Sequence, residues 1–195
     1  MEVTQNQLYP VFFRLEKLKM LIVGGGEVGM EKMHFIMKSS PNARIRILAT
    51  WFSDEVSELA QKFPDTVQMV TKAFEPEDIA DADLVVAATN FNDVNMQVYK
   101  AAKERNRIIN VADTPDLCDF YMGSIVTRGD LKVAISTNGK SPTFSKRFRQ
   151  LLEDILPNET SELLDNLKVF RDQLKGDFEQ KVKDLNHLTK TLIER

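Results

Sequence analysis

The chain has 195 residues, 43% hydrophobic and 28% charged, which suits a globular protein and is too apolar for one disordered throughout. Its length allows one good core, or a domain of about 110 to 150 residues with a smaller appendage. A net charge of −3 argues against a general nucleic-acid binder.

The charge is unevenly spread. Residues 131–150 hold Lys132, Lys140, Lys146, Arg147 and Arg149 without an acid, whereas 151–195 hold ten acids against seven bases. This contrast points to a local anionic ligand. The only cysteine is Cys118 and the only histidines are His34 and His187, so an intrachain disulfide is excluded and no His/Cys set stands at metal-ligand spacing. A reducing cytoplasm and no metal site are expected. MEVTQNQLYPVFFRLEKLK lacks an apolar run of about 18 residues and a cleavage site behind an apolar core, which predicts a soluble, unexported protein without a membrane segment.

In chain order, KMLIV (19–23) is a short β-rich run ending at glycines. A helix follows from Glu27 to about Lys38, with Val28, Met33, Ile36 and Met37 available to pack. Pro41 and Asn42 break it, and RIRILAT (44–50) closes a β-α-β unit. Residues 53–63 predict a helix capped by Ser53, VQMV a short strand, and DLVVAATN (83–90) a fully buried strand. Asn92 or Asp93 is expected to cap the next helix, through about Arg105, and RIINVAD (107–113) is a fifth strand. Strands alternating with helices imply a parallel sheet covered on both faces.

After Asp113 the rhythm changes. SIVTRGDLKVAIST holds two β-rich runs around Arg128-Gly129-Asp130, a hairpin signal. From Ser145 the chain is expected to be helical, with a break at Pro157-Asn158. Leu163, Leu167, Phe170, Leu174, Phe178, Val182, Leu185, Leu188 and Leu192 then recur at helical spacing, across Gly176, as a stripe that must be buried on this subunit or a second one.

The first chemical motif is LIVGGGEVG. Gly24 permits a tight turn, Gly26 lets backbone approach a pyrophosphate, Gly29 lets helix and strand pack, and the helix N-terminus offers unpaired N–H groups. G-x-G-x-x-G alone is weak, but here it joins a strand to a helix inside a β-α-β unit. The acid that usually binds ribose after the second strand is missing. Thr50 and Trp51 stand there instead, one a hydrogen-bonding group and the other a cover for adenine. No arginine sits there to favour a 2′-phosphate, so NAD is expected over NADP.

Other positions leave two readings open. Thr89 and Asn90 follow the fourth strand at the expected ligand crevice, or cap the next helix. Asp113 is a proton-transferring carboxylate or a turn initiator before Thr-Pro, and its residue type by itself favours the turn. Cys118, between Asp116 and Asp119, reads as a packed side chain rather than a ligand. STNGKSPTFSKRFR reads either as a solvated helix start or as a polyanion site built from hydroxyls and cations.

VGGGEVGMEK after LYPVFFRLE, then AATN, then NVADTPDLCDFYMGSIVTRGDLKVAISTNGKSP, resemble the precorrin-2 dehydrogenase and sirohydrochlorin ferrochelatase family, including the N-terminal half of bacterial sirohaem synthase. The resemblance runs from about Leu8 to Arg149. It implies an α/β, Rossmann-like sheet domain (1–113), a small α+β dimerisation module (114–145) and a C-terminal helical domain (146–195). It also implies NAD-dependent oxidation of precorrin-2 to sirohydrochlorin, in some members with Fe2+ inserted as a further substrate.

By that resemblance Asp113 is the catalytic residue, which reverses the preference for a turn given by residue type alone. Gly24, Gly26, Glu27, Val28, Gly29, Thr50, Trp51, Thr89 and Asn90 hold the cofactor. Ser124, Arg128, Thr137, Asn138, Gly139, Lys140, Ser141, Lys146 and Arg149 form a cleft for a polycarboxylated tetrapyrrole, in a homodimer. The family often has Ala at Gly29, a change expected to be harmless, and Arg at Glu31, which puts an acid near the pyrophosphate. Bacterial sirohaem synthase continues into a methyltransferase domain; this chain ends at Arg195 and is expected to depend on another protein for precorrin-2. Two other functions remain: a sirohydrochlorin chelatase with a vestigial NAD site, and a non-catalytic nucleotide-sensing module.

Overall fold

The computed structural model describes residues 6–158, 160–173 and 178–190. The chain divides into two compact units. One runs up to Gly123 and takes in Ser136–Ser141, and the other comprises Ser124–Ile135 and the chain from Pro142 onward. The sequence placed its boundaries after Asp113 and after residue 145; the compact units divide at Gly123 and Ser141.

The first unit is a five-stranded parallel sheet in the order β3-β2-β1-β4-β5, with β1 Lys19–Val23, β2 Arg44–Ala49, β3 Val67–Thr71, β4 Leu84–Ala87 and β5 Ile108–Val111. Helices α1 Glu27–Ser39, α2 Asp54–Gln61 and α3 Asn92–Glu104 connect them. Side chains alternate across the strands. Met20, Ile22, Ile45, Ile47, Leu84 and Val86 face Met33, Ile36 and Met37 of α1 and Val56 and Ala60 of α2. Leu21, Val23, Val85, Ala87, Ile109 and Val111 face Val98, Ala101 and Ala102 of α3 and Ile79. Both faces are therefore dry, which is why β1 and β4 are nearly continuous apolar runs.

Local chemistry sets most of the boundaries. Ser53 caps α2 as expected, accepting the Val56 N–H at 3.3 Å. The cap of α3 is Phe91 rather than Asn92 or Asp93, and it makes no side-chain cap bond. The short strands β4 and β5 end before Ala88 and Ala112, so Thr89 and Asp113 lie in loops beyond the sheet.

In the second unit, β6 Ser124–Arg128 and β7 Leu131–Ile135 form an antiparallel hairpin, followed by α4 Pro142–Ile155, α5 Thr160–Gln173 and α6 Phe178–Thr189. Helix α4 begins three residues earlier than the sequence suggested, because Pro142 suits a first helical position, where no N–H is needed. The C-terminal stripe is not buried where it is described: Leu163, Phe170 and Val182 are exposed, and α5 has no buried residue. Leu174, Gly176 and Leu192, and the side chains of Phe178, Leu185 and Leu188, lie outside the described residues. No described helix is long and apolar enough to cross a membrane.

Candidate functional site

Strand order reverses between β1 and β4, and in open parallel sheets ligands bind beyond the carboxyl ends of the strands at such a point. The turn after β1 is shaped by what its glycines lack. Gly24 has φ +133°, and a Cβ there would stand 2.2 Å from Ala88 O. A Cβ on Gly29 would stand 2.0 Å from Gly24 O, so the Gly29-to-Ala exchange expected to be harmless requires the backbone of this chain to shift. Gly25, outside the motif, is closed off by Trp51 O, and its own carbonyl accepts the Ser53 N–H at 2.9 Å.

Gly26 differs. A Cβ there would meet nothing nearer than the Trp51 indole at 3.8 Å. Gly26 is also the N-cap of the 13-residue α1 and provides no side-chain cap, which leaves the first-turn N–H groups of Glu27, Val28 and Gly29 for a ligand. Trp51 is 59% exposed beside this bare backbone, and Thr50 is exposed too. Glu31, the departure noted above, is paired with Lys32 at 3.2 Å, which offsets its charge near the turn.

The loop after β4 is held by a residue the sequence did not single out. Asn95, 5% exposed on α3, accepts the Thr89 N–H at 3.1 Å and donates to Thr89 O at 2.9 Å, and its Oδ1 lies 2.7 Å from Thr89 Oγ1. The polar groups of Thr89 are thus turned onto Asn95, and Asn90 and Phe91 are the residues exposed to the crevice edge. Thr89 anchors the loop more than it offers a free hydrogen-bonding group. A buried asparagine at helical spacing gave no advance signal of this.

After β5 the chain turns at Ala112 and Asp113, closed by Thr114 N–H donating to Val111 O at 3.3 Å. Asp113 is exposed and has φ +57°, a left-handed conformation that aspartate tolerates better than most residues. The turn reading of Asp113 is met, and its carboxylate is left exposed. Its carboxylate pairs with none of the described residues. Cys118 packs behind this turn, and burial pushes its thiol above the ordinary range.

Of the remaining expected residues, Thr137–Ser141 belong to the same unit. Thr137 Oγ1 accepts the Ser141 N–H at 3.2 Å across a loop in which Asn138 and Gly139 are both left-handed and Lys140 is exposed. In the second unit Ser124 starts β6 and Lys146 is exposed on α4. Arg128 and Arg149 are occupied: Arg128 donates to Glu153 O and Leu156 O at the end of α4, and Arg149 pairs with the Glu153 carboxylate one turn on. Among the described residues no three His, Cys, Asp or Glu side chains converge as a metal site. A cleft of about 730 Å³ opens at the opposite, amino-terminal edge of the sheet, where Arg46 and Lys19 already pair with Asp81.

A bare glycine cradle, an uncapped helix N-terminus and a flanking indole fit a dinucleotide, and together with the strand order they define a Rossmann-type nucleotide-binding protein. Residues 11–124 match the family model described as putative NAD(P)-binding, and the chain belongs to that family. Residues 128–155 match the model described as sirohaem biosynthesis protein, central. The chain is 34% identical over 169 residues to the siroheme synthase of Nitrosomonas europaea, a match covering 87% of this chain and 35% of that protein. It is 34% identical over 172 residues to the siroheme synthase of Pseudoalteromonas atlantica, covering 88% and 36%. The chain thus spans about a third of the length of the curated relatives it matches. Among solved structures it shares the fold of SirC, precorrin-2 dehydrogenase, with a TM-score of 0.75 and 24% identity, covering 93% of this chain and 89% of that one.

Proposed function

We propose that the chain is an NAD-dependent precorrin-2 dehydrogenase that forms sirohydrochlorin for sirohaem biosynthesis. The observation that carries the reading is the pairing, on one sheet edge, of a bare glycine cradle with an unpaired, left-handed Asp113. The siroheme synthase relatives and the fold shared with a precorrin-2 dehydrogenase support it.

Bound NAD+ would supply a hydride acceptor. Gly26 and the first-turn amides of Glu27, Val28 and Gly29 would hold its pyrophosphate, Thr50 and Trp51 its adenosine end, and the loop of Thr89 and Asn90 would border its nicotinamide end. The first turn of α2 carries Asp54 and Glu55, which disfavour a 2′-phosphate and support NAD over NADP. Asp113 takes the proton that precorrin-2 releases as two electrons leave with the hydride. Its oxygens can do this without first breaking an ion pair. Thr137, Asn138, Gly139, Lys140 and Ser141 supply hydroxyl, amide and ammonium groups for the substrate's carboxylates.

The reading includes a homodimer in a reducing cytoplasm, where Cys118 stays a thiol. Phe144, Phe148, Leu151 and Ile155 form an exposed apolar stripe on α4, and β6–β7 is a hairpin of only two strands, which is marginal alone.

The test is NADH formation from purified protein, NAD+ and precorrin-2 generated in situ, with Fe2+ added afterwards as a second substrate. Stoichiometric NADH and sirohydrochlorin are expected. Absence of NADH with fresh substrate rejects the dehydrogenase, and metal uptake indifferent to NAD+ would make the chain a chelatase instead.

A further inference from the structure

We propose that Asn110 and Cys118 form a positioning clamp that holds the left-handed turn of Asp113. The proposal rests on the reading of Asp113 as the proton acceptor. After that turn a short 3-10 turn, Pro115–Leu117, brings the chain back, so that the Cys118 sulfur lies against the backbone it has just left. Val111 N–H donates to Sγ at 3.3 Å, and the S–H faces Val111 O at 3.2 Å and Thr114 O at 3.4 Å. One side chain therefore touches both ends of the turn.

The second arm is Asn110, a buried polar residue of β5, 7% exposed. Its Nδ2 donates to Cys118 Sγ at 3.3 Å and to Phe120 O at 2.9 Å. Asp119 continues the attachment: its N–H donates to Ile109 O at 2.8 Å, and its carboxylate accepts Ile109 N–H at 3.1 Å and the Lys103 ammonium at 2.8 Å. Residues 118–120 thus run as a strap along β5.

The turn needs this hold. A left-handed aspartate is less stable than a right-handed one, and the closing bond from Thr114 to Val111 is long. An exposed carboxylate on a loosely held turn would sample many positions, whereas proton transfer requires it at hydrogen-bond reach of one substrate atom. A thiol suits the task because it accepts and donates at the same centre. Burial keeps it protonated and able to donate.

The experiment compares Cys118→Ala and Cys118→Ser with the native chain of 195 residues. Amide hydrogen exchange at residues 111–114 is measured without cofactor or substrate, NAD+ affinity by quenching of Trp51, the only tryptophan, and turnover by NADH formation. Cys118→Ala is expected to speed exchange at 111–114 about tenfold and lower kcat about tenfold to thirtyfold, with NAD+ affinity and the KM for precorrin-2 changed less than about threefold. Cys118→Ser, which keeps a donor and acceptor, should recover kcat to within about threefold.

Unchanged exchange and kcat in the alanine variant overturn the clamp. So does an equal loss of NAD+ binding, which would mean general loosening, or a loss that serine does not repair. If the native chain itself forms no NADH, the reading of the reaction fails, while exchange at 111–114 and its recovery by serine still decide the clamp.

Discussion

The turns after β1 and after β5 leave the same edge of the sheet on either side of β4, yet they are held in opposite ways. The first is set by missing atoms: Gly24 and Gly29 lie against carbonyl oxygens where no Cβ fits, and Gly26 is bare toward solvent. In the second, side chains are added: Cys118 lies against both ends of the turn, and Asn110 and Asp119 fasten the segment that carries it to β5. Phosphate recognition by amides calls for close approach, and glycine provides it. An exposed carboxylate in the proposed proton-transfer role has to project outward, so its support comes from behind.

The largest expected effect tests what the second turn presents. Asp113→Asn keeps a residue type that tolerates the left-handed conformation and removes the base, so kcat for NADH formation should fall about 10²-fold or more. Trp51 quenching by NAD+ should be unchanged. Equal losses in both measurements would show that the two turns are one unit.

Gly29→Ala tests the first turn. With Gly24 O at 2.0 Å from the new methyl group, unfolding should become easier by about 1–3 kcal/mol, a fall in Tm of several degrees by calorimetry. An unaltered Tm would mean that the turn yields more readily than its contacts indicate. Arg128→Ala carries the contrast into the second unit, where a side chain closes a helix end: a loss of about 1–2 kcal/mol is expected by urea unfolding. Its KM for precorrin-2 should hold, and a large rise with native stability would return Arg128 to the substrate site.

Trp51→Ala leaves the glycine backbone intact and removes only the flanking surface, so calorimetric NAD+ affinity should weaken about fivefold to tenfold. The smallest effect is a pH slope. Because burial raises the Cys118 thiol in the folded chain, its contribution to stability is fully present below the ordinary thiol range and is lost as pH rises through and above it. Urea unfolding should show this alkaline slope in the native chain and less of it in Cys118→Ala.

Much of the first unit was legible in the sequence because its signals are local. The apolar runs of β1 and β4, Ser53 at a helix start and Gly24, Gly26 and Gly29 at their spacing each act within a few residues of themselves. Asn95 was not legible, since its partners lie six residues back and only the fold of the loop over α3 brings them together. The partners of Arg128 were not legible either, since the carbonyls at the end of α4 that it meets lie 25 and 28 residues further on. The C-terminal stripe predicted burial on this subunit or a second one; in the single chain Leu163, Phe170 and Val182 are exposed and Leu167 is half-buried.

The sequence by itself determined the parallel sheet and the dinucleotide turn, because hydrophobic period and glycine spacing are properties of the chain in order, whereas the candidacy of Asp113 came from the family resemblance carried by the NVAD string. Only the tertiary structure decided that Asp113 sits in a left-handed turn beyond β5, that Cys118 folds back beneath it, and that Thr89 is turned onto Asn95. These arrangements depend on which donor reaches which acceptor once the strands are stacked. That distance is set by packing, and no spacing along the chain encodes it.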